Sequence, residues 1–277
     1  MGEEKTTQII YQSPRLKKDK FIAATKNGHD RSSPDYLATN SYFATFLKNK
    51  PLYWDALNEM LYGKGRLRKY AGIVEDIIDK FSFLFLARDQ IASHESQLNP
   101  HKRFFVKYFV YTFVFMTKSF LDALAVFINE LYQLGFSGGK IDFKKGGFLK
   151  NITNKDNELG NLLSKHQQFI RRVVEYRDNL IHRHGLYVGA LPTVPEELVD
   201  PKEVDLFILK EPHYIPNNPN LLFDDIDGGK ECEFIKVSCF IEDWIKESAQ
   251  LFDIVLNHFT NYFCIRKTGD DANDQKL

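Results

Sequence analysis

The chain has 277 residues, of which 43% are hydrophobic and 27% charged, a composition that buries a sizeable core in one or two domains. Its 37 Lys and Arg balance 37 Asp and Glu, which excludes bulk attraction to nucleic acid or anionic lipid, so a polyanion must be held by a local patch. The three cysteines, Cys232, Cys239 and Cys264, are odd in number and lack ligand spacing, which argues against a disulfide framework or a structural zinc and fits a reducing, cytoplasmic setting.

Residues 1–35 are polar and without periodicity, and TKNGHDRSSPD closes them with turn residues; a flexible N-terminal arm is expected. The opening MGEEKTTQII has neither the basic nor the apolar region of a signal peptide. It matches the short MGxxx[ST] pattern through Gly2 and Thr6, but two acids follow Gly2 and lipid attachment is not expected. Residues 36–63 carry helical apolar spacing interrupted at Pro51, which predicts two short helices. A long helix follows over about 67–97, with Ile73, Ile77, Phe81, Leu84 and Phe85 as its stripe, and Pro100 stops it.

The next helix, about 101–134, contains FFVKYFVYTFVFMTKSFLDALAVFI. Lys107, Lys118 and Asp122 interrupt this run short of the ~18 apolar residues of a membrane span, so it reads as a buried bundle helix. Phe109, Phe113, Phe120, Leu124, Phe127 and Leu131 form its apolar face; Lys107, Tyr111, Lys118, Asp122 and Asn129 lie opposite, and the Lys118–Asp122 pair reads as part of a solvated face. IDFKKGGFLKNITNKDNELG predicts a loop with a short strand and one helical turn. A third long helix covers about 158–184 and ends at Gly185. Residues 186–237 are punctuated by Pro192, Pro195, Pro201, Pro212, Pro216 and Pro219 around β-prone runs such as VDLFILK and CEFIKVS, and predict a small β-rich insertion. The last helix spans about 239–266, and 267–277 reads as a disordered tail. The fold class is all-α: an up-and-down helical bundle over 36–266 interrupted by one β-rich, Pro-rich segment.

The chemistry concentrates in EYRDNLIHRHG, residues 175–185. On a wheel of about 100° per residue, Arg177 falls between Ile170, Val174 and Ile181 on one side and Phe169, Val173 and Leu180 on the other. A guanidinium on an apolar stripe is costly unless an anion meets it. His166 and His184 lie near the same line, and Asp178, Arg171 and His182 on the polar flank, with Asp178 within one turn of His182. A histidine trades protons near neutral pH, a carboxylate fixes its tautomer, and a guanidinium offers forked donors to a phosphoryl oxygen. Arg171, Arg172 and Arg183 supply the local basic surface. His166 reads as a hydrogen-bonded core histidine.

The string Arg177-Asp178-Asn179-Leu180-Ile181-His182 resembles the RX4–6H motif of the HEPN superfamily (higher eukaryotes and prokaryotes nucleotide-binding domains), in which a polar residue follows the Arg. The resemblance extends over about residues 68–266. It implies a bundle that dimerises so that two motifs meet in a cleft, and, in many members, metal-independent RNA cleavage without a cofactor, often in toxin–antitoxin or phage-defence systems. It assigns Arg177 and His182 to the catalytic positions and Asp178 to the supporting one, with Arg171, Arg183, His184, Lys118 and Asp122 as further candidates for contact with RNA or nucleotide. Some antitoxin-paired members carry a tyrosine two residues after the His; His184 stands there in this chain. An endoribonuclease homodimer, with RNA and an antitoxin or other protein as partners, is the leading expectation. A non-catalytic nucleotide-, RNA- or protein-binding module and a plain helical scaffold, with Arg177 paired internally, remain the alternatives.

Overall fold

The computed structural model describes residues 41–48, 50–62, 66–182, 186–189, 211–220 and 233–270. The expected N-terminal arm, the VDLFILK run and residues 271–277 of the tail lie outside these. The described residues form eight α-helices: α1 Ser41–Leu47, α2 Pro51–Tyr62, α3 Ala71–Glu95, α4 Lys102–Tyr132, α5 Gly146–Lys155, α6 Asn157–Lys165, α7 Gln167–His182 and α8 Val237–Asp270. Two three-residue strands, β1 Tyr214–Pro216 and β2 Phe234–Lys236, pair antiparallel with Ile215 opposite Ile235. The all-α bundle with a small β insertion is therefore the architecture.

The core follows the periodicity. Ile77, Phe81 and Leu84 of α3 meet Phe113, Phe120, Leu124 and Phe127 of α4, all buried. Phe81 is the aromatic hub: its ring lies 5.2 Å from Phe252 of α8 and 5.4 Å from Phe120, edge-on and tilted geometries that add to area burial. Helix α1 caps this end through Phe43, 5.7 Å from Phe252. Lys50, just before α2, forms an ion pair with Asp253 of α8. A second aromatic group, Tyr176, Phe240 and Trp244, joins α7 to the start of α8, with Phe240 and Trp244 centroids 4.4 Å apart. Helix α4 has the length and hydropathy of a membrane span, and 61% of that window is buried inside the bundle, as the charges along it predict.

Three expectations are corrected. The helix over 158–184 is two helices, α6 and α7, separated by a turn at His166; the apolar spacing is continuous across the break, which is why periodicity alone runs through it. Residues 146–155, expected within a loop with a short strand and a single helical turn, form the longer helix α5, whose Phe148 and Ile152 are buried in spite of two leading glycines; tertiary burial overrides local propensity there. Helices α5 and α6 touch at Gly160, where an added Cβ would lie 2.6 Å from the Thr153 Cα. Finally, the side of α4 opposite the phenylalanines is not uniformly solvated: Asn129 is buried and brackets Phe136, accepting from its N–H at 3.1 Å and donating to its carbonyl at 3.2 Å. This bond closes the chain reversal after α4, where Gln133 takes a left-handed φ of 50°.

Candidate functional site

Helix α7 packs antiparallel to α4 and carries the motif in its last turns. Its buried side runs through Phe169, Val173 and Tyr176, with Ile170 and Val174 beside them. Arg177 lies at the margin of that side rather than at its centre, 28% exposed by its side chain. Beyond it Ile181, expected in the core, is 48% exposed. The offset comes from Tyr176, a residue the sequence reading passed over: it is wholly buried and turns the helix so that the stripe centres near it. Its hydroxyl donates to the Pro216 carbonyl, with the Asn217 carbonyl 3.1 Å away. Burial pushes this phenol up to about 12, although the nearby Arg172 charge works against it.

The Arg177 guanidinium is met by Asp178, Nη1 to Oδ1 at 3.1 Å. Consecutive helix residues do not face each other, so this contact requires the long Arg arm to fold sideways. A part-exposed pair of this kind contributes about 0–1 kcal/mol, a weak clamp that an incoming anion displaces. The Arg177 Nε is buried and meets no acceptor among the described residues. A donor left in that state costs about 1–3 kcal/mol.

Across the helix interface stands Asp122 of α4, near enough that the Arg177 charge acts on it. Its carboxyl is nevertheless pushed above the ordinary value, chiefly by desolvation, against the downward pull of Lys118 and Arg177. Lys118 has a side chain only 9% exposed; it forms an ion pair with Asp122 and reaches Asp142 at 3.5 Å. Of the pair expected on a solvated face, Asp122 keeps its side chain 47% exposed while Lys118 is buried, and with Asp142 they form a polar row that leads toward Arg177 and Asp178. Burial of a lysine is tolerated here because two carboxylates meet it. Asp142 could not be found from sequence, since it sits in the 141–145 loop with no periodic relation to α4. Asn179, two residues after Arg177 in the same motif, is 2% exposed with neither amide atom bonded among the described residues.

The remaining expected residues divide cleanly. Arg171 is exposed on α7. His182 closes α7, but its side chain, together with Arg183 and His184, lies outside the described residues. After the motif the chain returns to α4: the Leu186 N–H donates to the Tyr111 hydroxyl at 3.0 Å, and that hydroxyl donates to the Leu186 carbonyl at 3.1 Å. Gly189 then bridges Tyr214, so residues 186–189 and β1 flank the end of α7. His166 is largely buried and bonded through Nδ1 to Glu247 at 2.8 Å. Among the described residues no group of three or more His, Cys, Asp or Glu is placed to hold a metal ion.

Residues 68–199 match the family model described as Cthe2314-like HEPN. The match takes in α3 through α7, with Arg177 and His182 toward its far end, and stops short of α8. No curated protein and no solved structure matches the chain. Over residues 68–199, the stretch that builds α3 through α7, the chain carries a HEPN-superfamily domain.

Proposed function

We propose that the protein is a HEPN-type, metal-independent endoribonuclease, working as a homodimer in the cytoplasm, and that Arg177, His182 and Asp178 carry the chemistry. The observation that supports this most is the state of Arg177: a part-exposed guanidinium, loosely held by Asp178, with a buried Nε that no described acceptor meets. A phosphodiester oxygen that meets the exposed part of the guanidinium displaces a weak pair. The exposed Ile181 beside it suits a second copy of the chain covering this end of α7, which would bring two motifs to one cleft.

In this reading one His182 takes the proton of a ribose 2′-OH, whose oxygen attacks the adjacent phosphorus. The P–O5′ bond breaks, and the His182 of the second copy gives a proton to the departing 5′ oxygen. The products are a 2′,3′-cyclic phosphate and a 5′-OH. Arg177 stabilises the charge that builds on the non-bridging oxygens. Asp178 holds the guanidinium between turnovers, and the Lys118–Asp122 pair stiffens the α4 side. Positioned proton transfer supplies about 10²–10⁴-fold and one well-placed donor about 10²–10³-fold.

The existing Arg177–Asp178 pair also favours a second reading, a module in which Arg177 anchors RNA or a nucleotide without turnover. Parallel binding and cleavage assays of Arg177→Ala and His182→Ala on single-stranded RNA in EDTA separate the two. The nuclease reading expects cleavage by the unaltered protein, and an His182→Ala variant that binds RNA but does not cut. RNA bound through Arg177 with no product at any protein concentration overturns the nuclease in favour of the module.

A further inference from the structure

On the flank of α7 away from Asp122, a cavity of about 330 Å³ opens between the α6–α7 turn and the first half of α8. Its size is at the lower end of small-molecule sites. Three cations reach it from three elements: Lys165 from the end of α6, Arg172 from α7 and Lys246 from α8. Two acids, Asp243 and Glu247, stand a turn apart on α8. They are not equivalent, because Glu247 is engaged by His166 Nδ1 at 2.8 Å. The floor is aromatic, formed by the nearly buried rings of Phe169 and Trp244.

The charges sum to a net positive mouth with His166 neutral, and more so with it protonated. Arg172 donates to the Asn217 side chain, Nη2 to Oδ1 at 2.9 Å, and also meets the Tyr176 hydroxyl, two contacts that fix the plane of its guanidinium beside the cavity. The first turn of α7, whose Gln168 and Phe169 line the cavity, carries no acid. Lys165 and Lys246 are exposed and lack the packing that would explain them as structural. Asp243 remains as an acceptor facing the cations, the arrangement that suits hydroxyl groups on the same ligand.

We propose that this cavity is a binding site for a small phosphomonoester on a hydroxyl-bearing carrier, a sugar phosphate or a nucleoside monophosphate. Lys165, Arg172 and Lys246 hold the phosphate, Asp243 accepts from the carrier's hydroxyls, and the aromatic floor takes its apolar face. The site shares α7 with the motif but lies on its other flank, and it does not depend on the nuclease reading.

Calorimetric titration of the full chain with AMP and with ribose 5-phosphate, at constant ionic strength, tests this. Both are expected to bind, and ribose not. The double variant Lys165→Glu/Lys246→Glu, altered only at exposed positions, is expected to weaken both by about tenfold or more. The same charge change on α5, Lys150→Glu/Lys155→Glu, is expected to leave affinity unchanged. Unaltered binding in the Lys165/Lys246 variant, an equal loss in the α5 variant, or no binding of either phosphate by the unaltered chain each overturns the assignment.

Discussion

Tyr176→Phe removes one oxygen from the molecule and tests what orients the motif helix. The ring is wholly buried against Phe240 and Trp244, with centroids at 5.2 and 5.4 Å, and phenylalanine keeps that packing. Only the hydroxyl is lost, and with it the donor to the buried Pro216 carbonyl. An acceptor left unsatisfied costs about 1–3 kcal/mol, and for a chain of this size each kcal/mol lowers the melting temperature by roughly 2–4 °C. Urea unfolding should therefore show a lower midpoint with an unchanged slope. The loss is local in origin, because the same hydroxyl pins the chain around β1 to α7. Hydrogen exchange at the Tyr214 N–H, which donates to Gly189 at 2.8 Å, and at the Asn217 N–H, which donates to Glu233 at 2.8 Å, should quicken more than exchange in α3 or α4. A midpoint and β1 protection both equal to those of the unaltered chain would refute the idea that this bond sets the rotation of α7.

Phe81→Ala empties the centre of the aromatic hub and should cost about 3–5 kcal/mol in urea unfolding, the largest effect among single core truncations of α3. Gly160→Ala drives a Cβ toward Thr153 at the α5–α6 contact and should destabilise by about 1–3 kcal/mol by overpacking; pairing it with Thr153→Gly should recover part of that loss. The Glu95 carboxyl would be raised by burial, but hydrogen bonds and charge from His213, with Lys102 behind, bring it below its usual 4.5. Its contribution is thus present above about pH 4.5 and lost as pH falls through the lower folded value, so Glu95→Gln should flatten the acid limb of a stability–pH profile. Tyr53 and Tyr176 are both pushed up to about 12 by burial first; tyrosinate absorbance of the folded chain should rise late, with a smaller late component in Tyr176→Phe. Because a raised pKa means that the folded state holds its proton more tightly, that stability is lost as pH rises above about 10.

The bundle was legible because its helices follow a 3.6-residue period with proline and glycine at their ends. The breaks were less so. His166 interrupts a pattern whose apolar residues stay in phase on either side, and nothing in residue type marks the turn; the His166–Glu247 bond that settles it is 81 residues away in sequence. Helix α5 was missed because GG at its start and KNITNK within it are poor helix formers, and its reason for existing is the burial of Phe148 and Ile152. At the site, Arg177 and Asp178 stand out by spacing, but the sequence pairs Asp178 with His182, whose side chain lies outside the described residues, and the contact that Asp178 makes is to Arg177. The Lys118–Asp122 pair is legible too, but the burial of Lys118 depends on Asp142, a loop residue that only the folded chain brings to α4. Tyr176 looked like one more aromatic on a helix; a wheel treats every apolar position alike and does not weigh a hydroxyl with a partner 40 residues on.

The most direct test of the account is the chemistry of the RNA ends. Purified protein incubated with single-stranded RNA in EDTA should release fragments ending in a 2′,3′-cyclic phosphate and beginning with a 5′-OH, and His182→Ala should slow single-turnover cleavage by about 10² or more. Fragments with 3′-OH and 5′-phosphate ends, or a rate in His182→Ala equal to that of the unaltered chain, would contradict it.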